Sequence, residues 1–116
     1  MNTDINFGVA ETDRQGVPVL AVQGEVDVST APELRERLLT LAERGTTTAV
    51  VDLSEVSFVD STALGVLVSG VKRLRSAGGD LRLVVTQPRI TKVFEITGLT
   101  DVFEIYSSAD DAVRAQ

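Results

Sequence analysis

One pattern restricts the fold of this chain more than any other: strand-like and helix-like apolar runs alternate along most of its length. Ile5, Phe7 and Val9 alternate with polar or small residues and mark a first strand. Asp13-Arg14-Gln15-Gly16 is a turn, and Val17–Gln23 is a second strand, so the two are expected as a hairpin. Pro18 points to an edge or strand-beginning position for the second strand, because proline cannot donate to a sheet ladder. GEVDVST then forms a polar loop.

Thr30-Ala31-Pro32-Glu33 opens a helix. Thr30 is placed to accept from the backbone N–H three residues on while Glu33 reaches back, and Pro32 suits a first turn, where no N–H is needed. Leu34, Leu38, Leu41 and Ala42 share one face, and Gly45 stops the helix. Thr47–Leu53 is a third strand, rich in β-branched residues. Ser54–Ser57 is a connector, and Phe58-Val59 leads to Asp60-Ser61-Thr62 and a second helix ending near Ala77. Leu81, Leu83 and Val85 mark a fourth strand, Pro88 to Gly98 a short third helix, and Val102–Tyr106 a last strand. Ser108 to Asp111 starts a C-terminal helix with a second capping box.

Alternation of this kind demands crossover connections. The expected fold is therefore α/β, with a mostly parallel sheet, an N-terminal hairpin and about four flanking helices. In such sheets ligands and partners meet the loops leaving the strands' C-terminal ends. Those loops are GEVDVST, the Leu53–Ser61 stretch, Thr86–Pro88 and the final turn. At 116 residues, without a linker or repeat, the chain is expected to be one domain, 1–116.

Composition removes several kinds of chemistry. Without Cys or His there is no thiol nucleophile, no histidine general base and no usual zinc ligand. A net charge of −6 gives no basis for counterion-driven binding to nucleic acid or to an anionic membrane. Ser61–Val71, the longest run free of charged side chains, is too short to span a bilayer, and no signal peptide precedes it. The expected location is the cytoplasm. No catalytic residues, metal site or cofactor are expected.

The segment with the most to offer is Phe58-Val59-Asp60-Ser61-Thr62-Ala63-Leu64-Gly65, at a strand end and helix start. Ser61 or Thr62 falls where an N-cap belongs, and the bland reading is that Ser61 does no more than cap the helix. Two features argue for more. Leu64, Leu67, Val71 and Leu74 form the stripe that must face the sheet, which leaves Val66, and Ala63 at its margin, for a partner. The small residues Ala63, Gly65, Ser69 and Gly70 allow close approach. In addition, the acidic loop Glu25-Val26-Asp27 leaves the neighbouring strand beside Asp60. Asp27→Asn is expected to lower partner binding at little cost in stability.

GEVDVSTAPELRERL, then VVDLSEVSFVDSTALGVLVSGVKRLRSAGGDLRLV, then VFEITGLTDVFEI together resemble the STAS domain, and within it the stand-alone anti-sigma factor antagonists of bacteria. The resemblance runs from about Val17 to Val113. It implies a small mixed sheet flanked by helices, and it makes Ser61 the phosphorylated residue, with Thr62 the competing acceptor. Asp27 lies near the partner interface by the same resemblance. The implied partners are an anti-sigma factor that is also a serine/threonine kinase, which brings its own ATP and magnesium, and a Ser/Thr phosphatase of the metal-dependent class. Many members carry Gly where this chain has Ala63, which bears on how closely a partner approaches.

Two other readings compete. A receiver-like phosphotransfer domain would need a Lys after the last strand, and none follows Val102–Tyr106; no GxxxxGK[ST] phosphate loop is present either. The alternative within the family is a small-ligand-sensing or scaffold STAS module, in which Ser61 is only a cap.

Overall fold

In a computed structural model that describes residues 7–115, the elements follow the expected order. They are β1 (Gly8–Arg14), β2 (Val17–Val26), α1 (Ala31–Glu43), β3 (Thr48–Val59), α2 (Ser61–Ser76), β4 (Asp80–Val84), α3 (Pro88–Ile96), β5 (Ile105–Tyr106) and α4 (Ala109–Arg114). A short 3-10 turn, Leu99–Asp101, separates α3 from β5. The sheet order is β1-β2-β3-β4-β5, with the first pair antiparallel and the rest parallel. The sheet is mixed, parallel but for its first pair, and flanked by helices, as the resemblance implies.

The hairpin turns on Gln15 and Gly16, both at positive φ (56° and 84°), the type I′ geometry whose twist suits adjoining strands. Ile5, read as part of the first strand, lies outside the described residues. β2 is interior, not an edge; Pro18 is tolerated because pairing with β3 begins only at Val19. From β2 onward each crossover steps one strand in the same direction. With the usual right-handed connection this drops α1, α2 and α3 on one face. Their buried side chains, Leu34, Leu38, Leu67, Leu74, Ile90 and Phe94 among them, meet Leu20, Val51 and Leu83 of the sheet in one core. On the other face α4 packs Ala109, Ala112 and Val113 over Val19, Val50 and Val84.

Three expected boundaries need correction. β2 runs to Val26, three residues past Gln23, so Glu25 and Val26 belong to a strand rather than a loop. β3 is continuous from Thr48 to Val59, and the expected connector Ser54–Ser57 lies inside it. The cause is two register shifts in the β2–β3 pairing, between Ala21 and Gln23 and between Gly24 and Glu25. Each puts an extra β3 residue against β2, which breaks the period of two that marks a strand. The last strand, expected over Val102–Tyr106, shrinks to Ile105–Tyr106. Phe103 leaves the ladder to pack edge-on against Phe94, with ring centroids 5.9 Å apart at 84°.

Candidate functional site

The extension of β2 and β3 brings the two suspected loops together. Glu25 pairs with Phe58 and Val26 with Val59, and the Asp60 N–H donates to the Val26 carbonyl at 3.2 Å. Asp27 and Asp60 therefore leave adjacent parallel strands at the same level, one heading α1 and the other α2.

At the start of α2 the cap is Asp60, not Ser61 or Thr62. Its backbone is extended (φ −113°, ψ −175°) and its carboxylate accepts from the Ala63 N–H at 3.0 Å. Ser61 is thus the first helical residue. It is exposed, and its hydroxyl has no hydrogen-bond partner among the described residues. Thr62 is exposed as well. Moving the cap to Asp60 also sets which way the first turn faces. Ala63 falls in line with Leu67, Gly70 and Leu74 and is fully buried, so its expected place in a partner-facing surface is corrected: the methyl belongs to the core. Val66 is half-buried at the edge of that core.

Asp27 is more tightly tied than a solvated loop carboxylate. Oδ1 accepts from the Ser29 hydroxyl at 2.8 Å, the Ser29 N–H at 2.9 Å and the Thr30 N–H at 3.1 Å. These bonds, the Ser29 hydroxyl first, hold its carboxyl below the usual range against the opposing effect of desolvation. The expected Thr30–Glu33 capping box does not form. Thr30 has helical dihedrals (φ −104°, ψ −25°), so its side chain points back and not toward the helix. The buried Thr30 hydroxyl donates to the Glu25 carbonyl at 2.8 Å and accepts from the Asp27 N–H at 2.9 Å, stapling the loop.

Because this side chain builds the loop, the costly change at Asp27 is loss of the acceptor, not Asp27→Asn. Asn retains one acceptor oxygen, whereas Asp27→Ala removes it from both N–H groups and leaves the Thr30 N–H with only the Asp27 backbone carbonyl at 3.2 Å. Hydrogen exchange at Ser29 and Thr30 is expected to stay slow in the Asn variant and to speed up at least several-fold in the Ala variant.

Two exposed apolar neighbours of the site were not among the expected contact residues, although Phe58 belongs to the segment singled out in the sequence. Val28, in the same loop, is 70% exposed, and Phe58, paired with the exposed Glu25, is 46% exposed. An apolar residue inside the polar run GEVDVST was the available signal for Val28; the register shift hid the one for Phe58. Both lie on the two segments, residues 25–30 and 58–62, that the paired ends of β2 and β3 bring side by side. Among the described residues no three acidic side chains converge as a metal ion would require, and no helix is long and apolar enough to cross a membrane.

A family model, the STAS domain, matches residues 9–112 of this chain. The chain belongs to the STAS domain family. Its relatives include the anti-sigma-B factor antagonist of Bacillus subtilis strain 168, 38% identical over 98% of this chain and 100% of that one. The anti-sigma-B factor antagonist of Listeria monocytogenes is also 38% identical, over 88% of this chain and 89% of the relative. Among solved structures, an anti-sigma factor antagonist from Mycobacterium paratuberculosis superposes with a TM-score of 0.86 at 29% identity, covering 97% of this chain and 96% of the other.

Proposed function

We propose that this chain is an anti-sigma factor antagonist that works by partner switching. In its unphosphorylated form it binds an anti-sigma factor that is also a serine/threonine kinase, and the sigma factor is set free. The kinase phosphorylates Ser61 with its own ATP and magnesium, the complex separates, and a metal-dependent Ser/Thr phosphatase restores the hydroxyl. The chain supplies no catalytic group of its own.

The relatives' names support the antagonist role, and one observation carries the switch: Ser61 is exposed and unengaged because Asp60 already performs the capping. A phosphate on Ser61 replaces no bond the fold needs. At the start of α2 its charge meets the positive end of the helix dipole and the outward Ser61 and Thr62 N–H groups. The domain is therefore expected to stay folded when modified. The change falls on the complex, where about −1.5 to −2 added charges meet Glu25, Asp27 and Asp60 and must be desolvated against the partner. The contact surface in this reading is Glu25, Asp27, Asp60, Thr62 and Val66, with Val28 and Phe58 as its apolar part.

Incubation with a cognate kinase and ATP, followed by phosphopeptide mapping, tests the assignment. Label on Ser61 is the expected result; label on Thr62 alone, or none, overturns it.

Gly65 adds a second line of support. It is exposed within α2, and a Cβ built on it meets nothing within 4 Å. Glycine inside a helix costs about 0.5–1 kcal/mol relative to alanine, so this position gives up stability for a bare surface one turn from Ser61. Gly65→Ala is expected to raise the melting temperature by a few degrees and to weaken kinase binding. A variant that is stabilised but binds as before would show that the bare surface serves no partner.

A further inference from the structure

α1 and α2 approach closely where Gly70 has no side chain: a Cβ there would stand 3.1 Å from Leu38 Cδ1 and 3.3 Å from Leu81 Cδ2. Beside this contact a cleft of about 180 Å³ opens between the two helices. Leu38, Leu39, Val66 and Leu74 supply its apolar lining, and Arg35 and Arg73 line it from α1 and α2. No carboxylate lines it.

The charges are informative because most arginines of this acidic chain are already engaged. Arg14, Arg44, Arg75 and Arg114 pair with carboxylates, and Arg37 and Arg82 donate to backbone carbonyls. Arg35 and Arg73 are exposed and have no such partner among the described residues. Two unpaired guanidinium groups on an apolar cleft suit an occupant that is apolar at its centre and anionic on both sides. The size is informative too. Sites for small molecules commonly enclose roughly 300–1,000 Å³, and this one is smaller, fit for a single large side chain.

From these observations we propose that the α1–α2 cleft docks an acidic amphipathic segment of a partner protein. One large apolar side chain enters the cleft, and carboxylates on either side of it form charge-assisted hydrogen bonds with Arg35 and Arg73. Thr62, Val66, Ser69 and Arg73 follow one another along α2 at helical spacing, so the docked segment lies one turn and more from Ser61. The proposal shares Val66 with the contact surface above but does not depend on the phosphorylation switch.

The test is an NMR titration of the 15N-labelled chain with two synthetic helical peptides that share a leucine face. One carries Glu on both sides of that face and the other carries Lys at the same positions. The Glu peptide is expected to shift the amide signals of Leu38, Leu39, Val66 and Ser69, and the Lys peptide to leave them in place. Arg35→Gln with Arg73→Gln is expected to weaken the Glu peptide by at least about tenfold. Arg35→Glu with Arg73→Glu is expected to accept the Lys peptide instead, with circular dichroism showing both double variants folded. Ser61→Asp is expected to leave the cleft shifts unchanged, so failure of the switch and failure of the cleft remain separable. The proposal is overturned if the two peptides bind alike, if the shifts fall elsewhere, or if octanoate fills the cleft and neither peptide does.

Discussion

Ser61→Ala is expected to hold its anti-sigma partner persistently in the presence of ATP, and Ser61→Asp to bind it at least about a hundredfold more weakly than the unmodified protein. The first effect follows from removing the acceptor hydroxyl: no charge can be added, and because Asp60 remains the cap, α2 is unaffected. The second follows from placing a carboxylate on the proposed contact surface, which already holds Glu25, Asp27 and Asp60. About 3 kcal/mol of desolvation and repulsion at the contact suffices for a hundredfold loss. Isothermal titration of the three proteins against a cognate kinase, with and without ATP, measures both. Both variants should melt within about a degree or two of the parent, since the Ser61 hydroxyl makes no bond within the described fold. Equal affinities for the three would remove the switch. A large drop in melting temperature for Ser61→Ala would instead return Ser61 to the role of a structural cap.

Gly79→Ala is expected to be the most damaging single methyl in the chain. A Cβ at Gly79 would overlap the Thr47 carbonyl oxygen and carbon. These are backbone atoms at the point where β4 joins β3, with the Asp80 N–H donating to the same Thr47 oxygen at 2.9 Å. No side chain can rotate to relieve the clash, so the start of β4 must move away from β3. Overpacking of side chains commonly costs about 1–3 kcal/mol, and a clash with backbone belongs at or beyond the top of that range. That is a large share of a typical domain's net stability. Thermal unfolding should show a fall of about 10 °C or more. The opposite sign expected for Gly65→Ala makes the pair informative: the same added methyl stabilises where nothing stands near and destabilises where a carbonyl does. A Gly79→Ala variant that melts like the parent would mean that the start of β4 can shift away from Thr47 at little cost.

Much of the fold was legible in the residues because the alternation of elements leaves little freedom once crossover handedness is granted. The helices over Ala31–Glu43, Ser61–Ser76 and Pro88–Ile96 carry clear apolar faces, and their stops at Gly45, Gly78 and Gly98 are local chemistry. The Ser108 cap was equally local, its hydroxyl accepting from the Asp111 N–H at 3.1 Å. The errors cluster where the pattern depends on a partner strand. Residues 54–57 have loop-like polarity, and only their pairing with the extended β2 makes them strand. Phe103 carries a strand residue's side chain, and only Phe94 explains why it leaves the ladder.

The site divides in the same way. The residues alone determined a hydroxyl at the junction of strand and helix, acidic loops beside it and a sheet with its helices in fixed order, because each is set by neighbours a few positions away. Which group caps α2, that Ala63 is core and Val28 and Phe58 are surface, that Asp27 is spent on its own loop, and that Gly79 has no room for a methyl were decided only in three dimensions. Each depends on where a second segment comes to rest, and a hydrogen bond or a clash between Val26 and Asp60, or between Thr47 and Gly79, has no signature in the spacing of either segment alone.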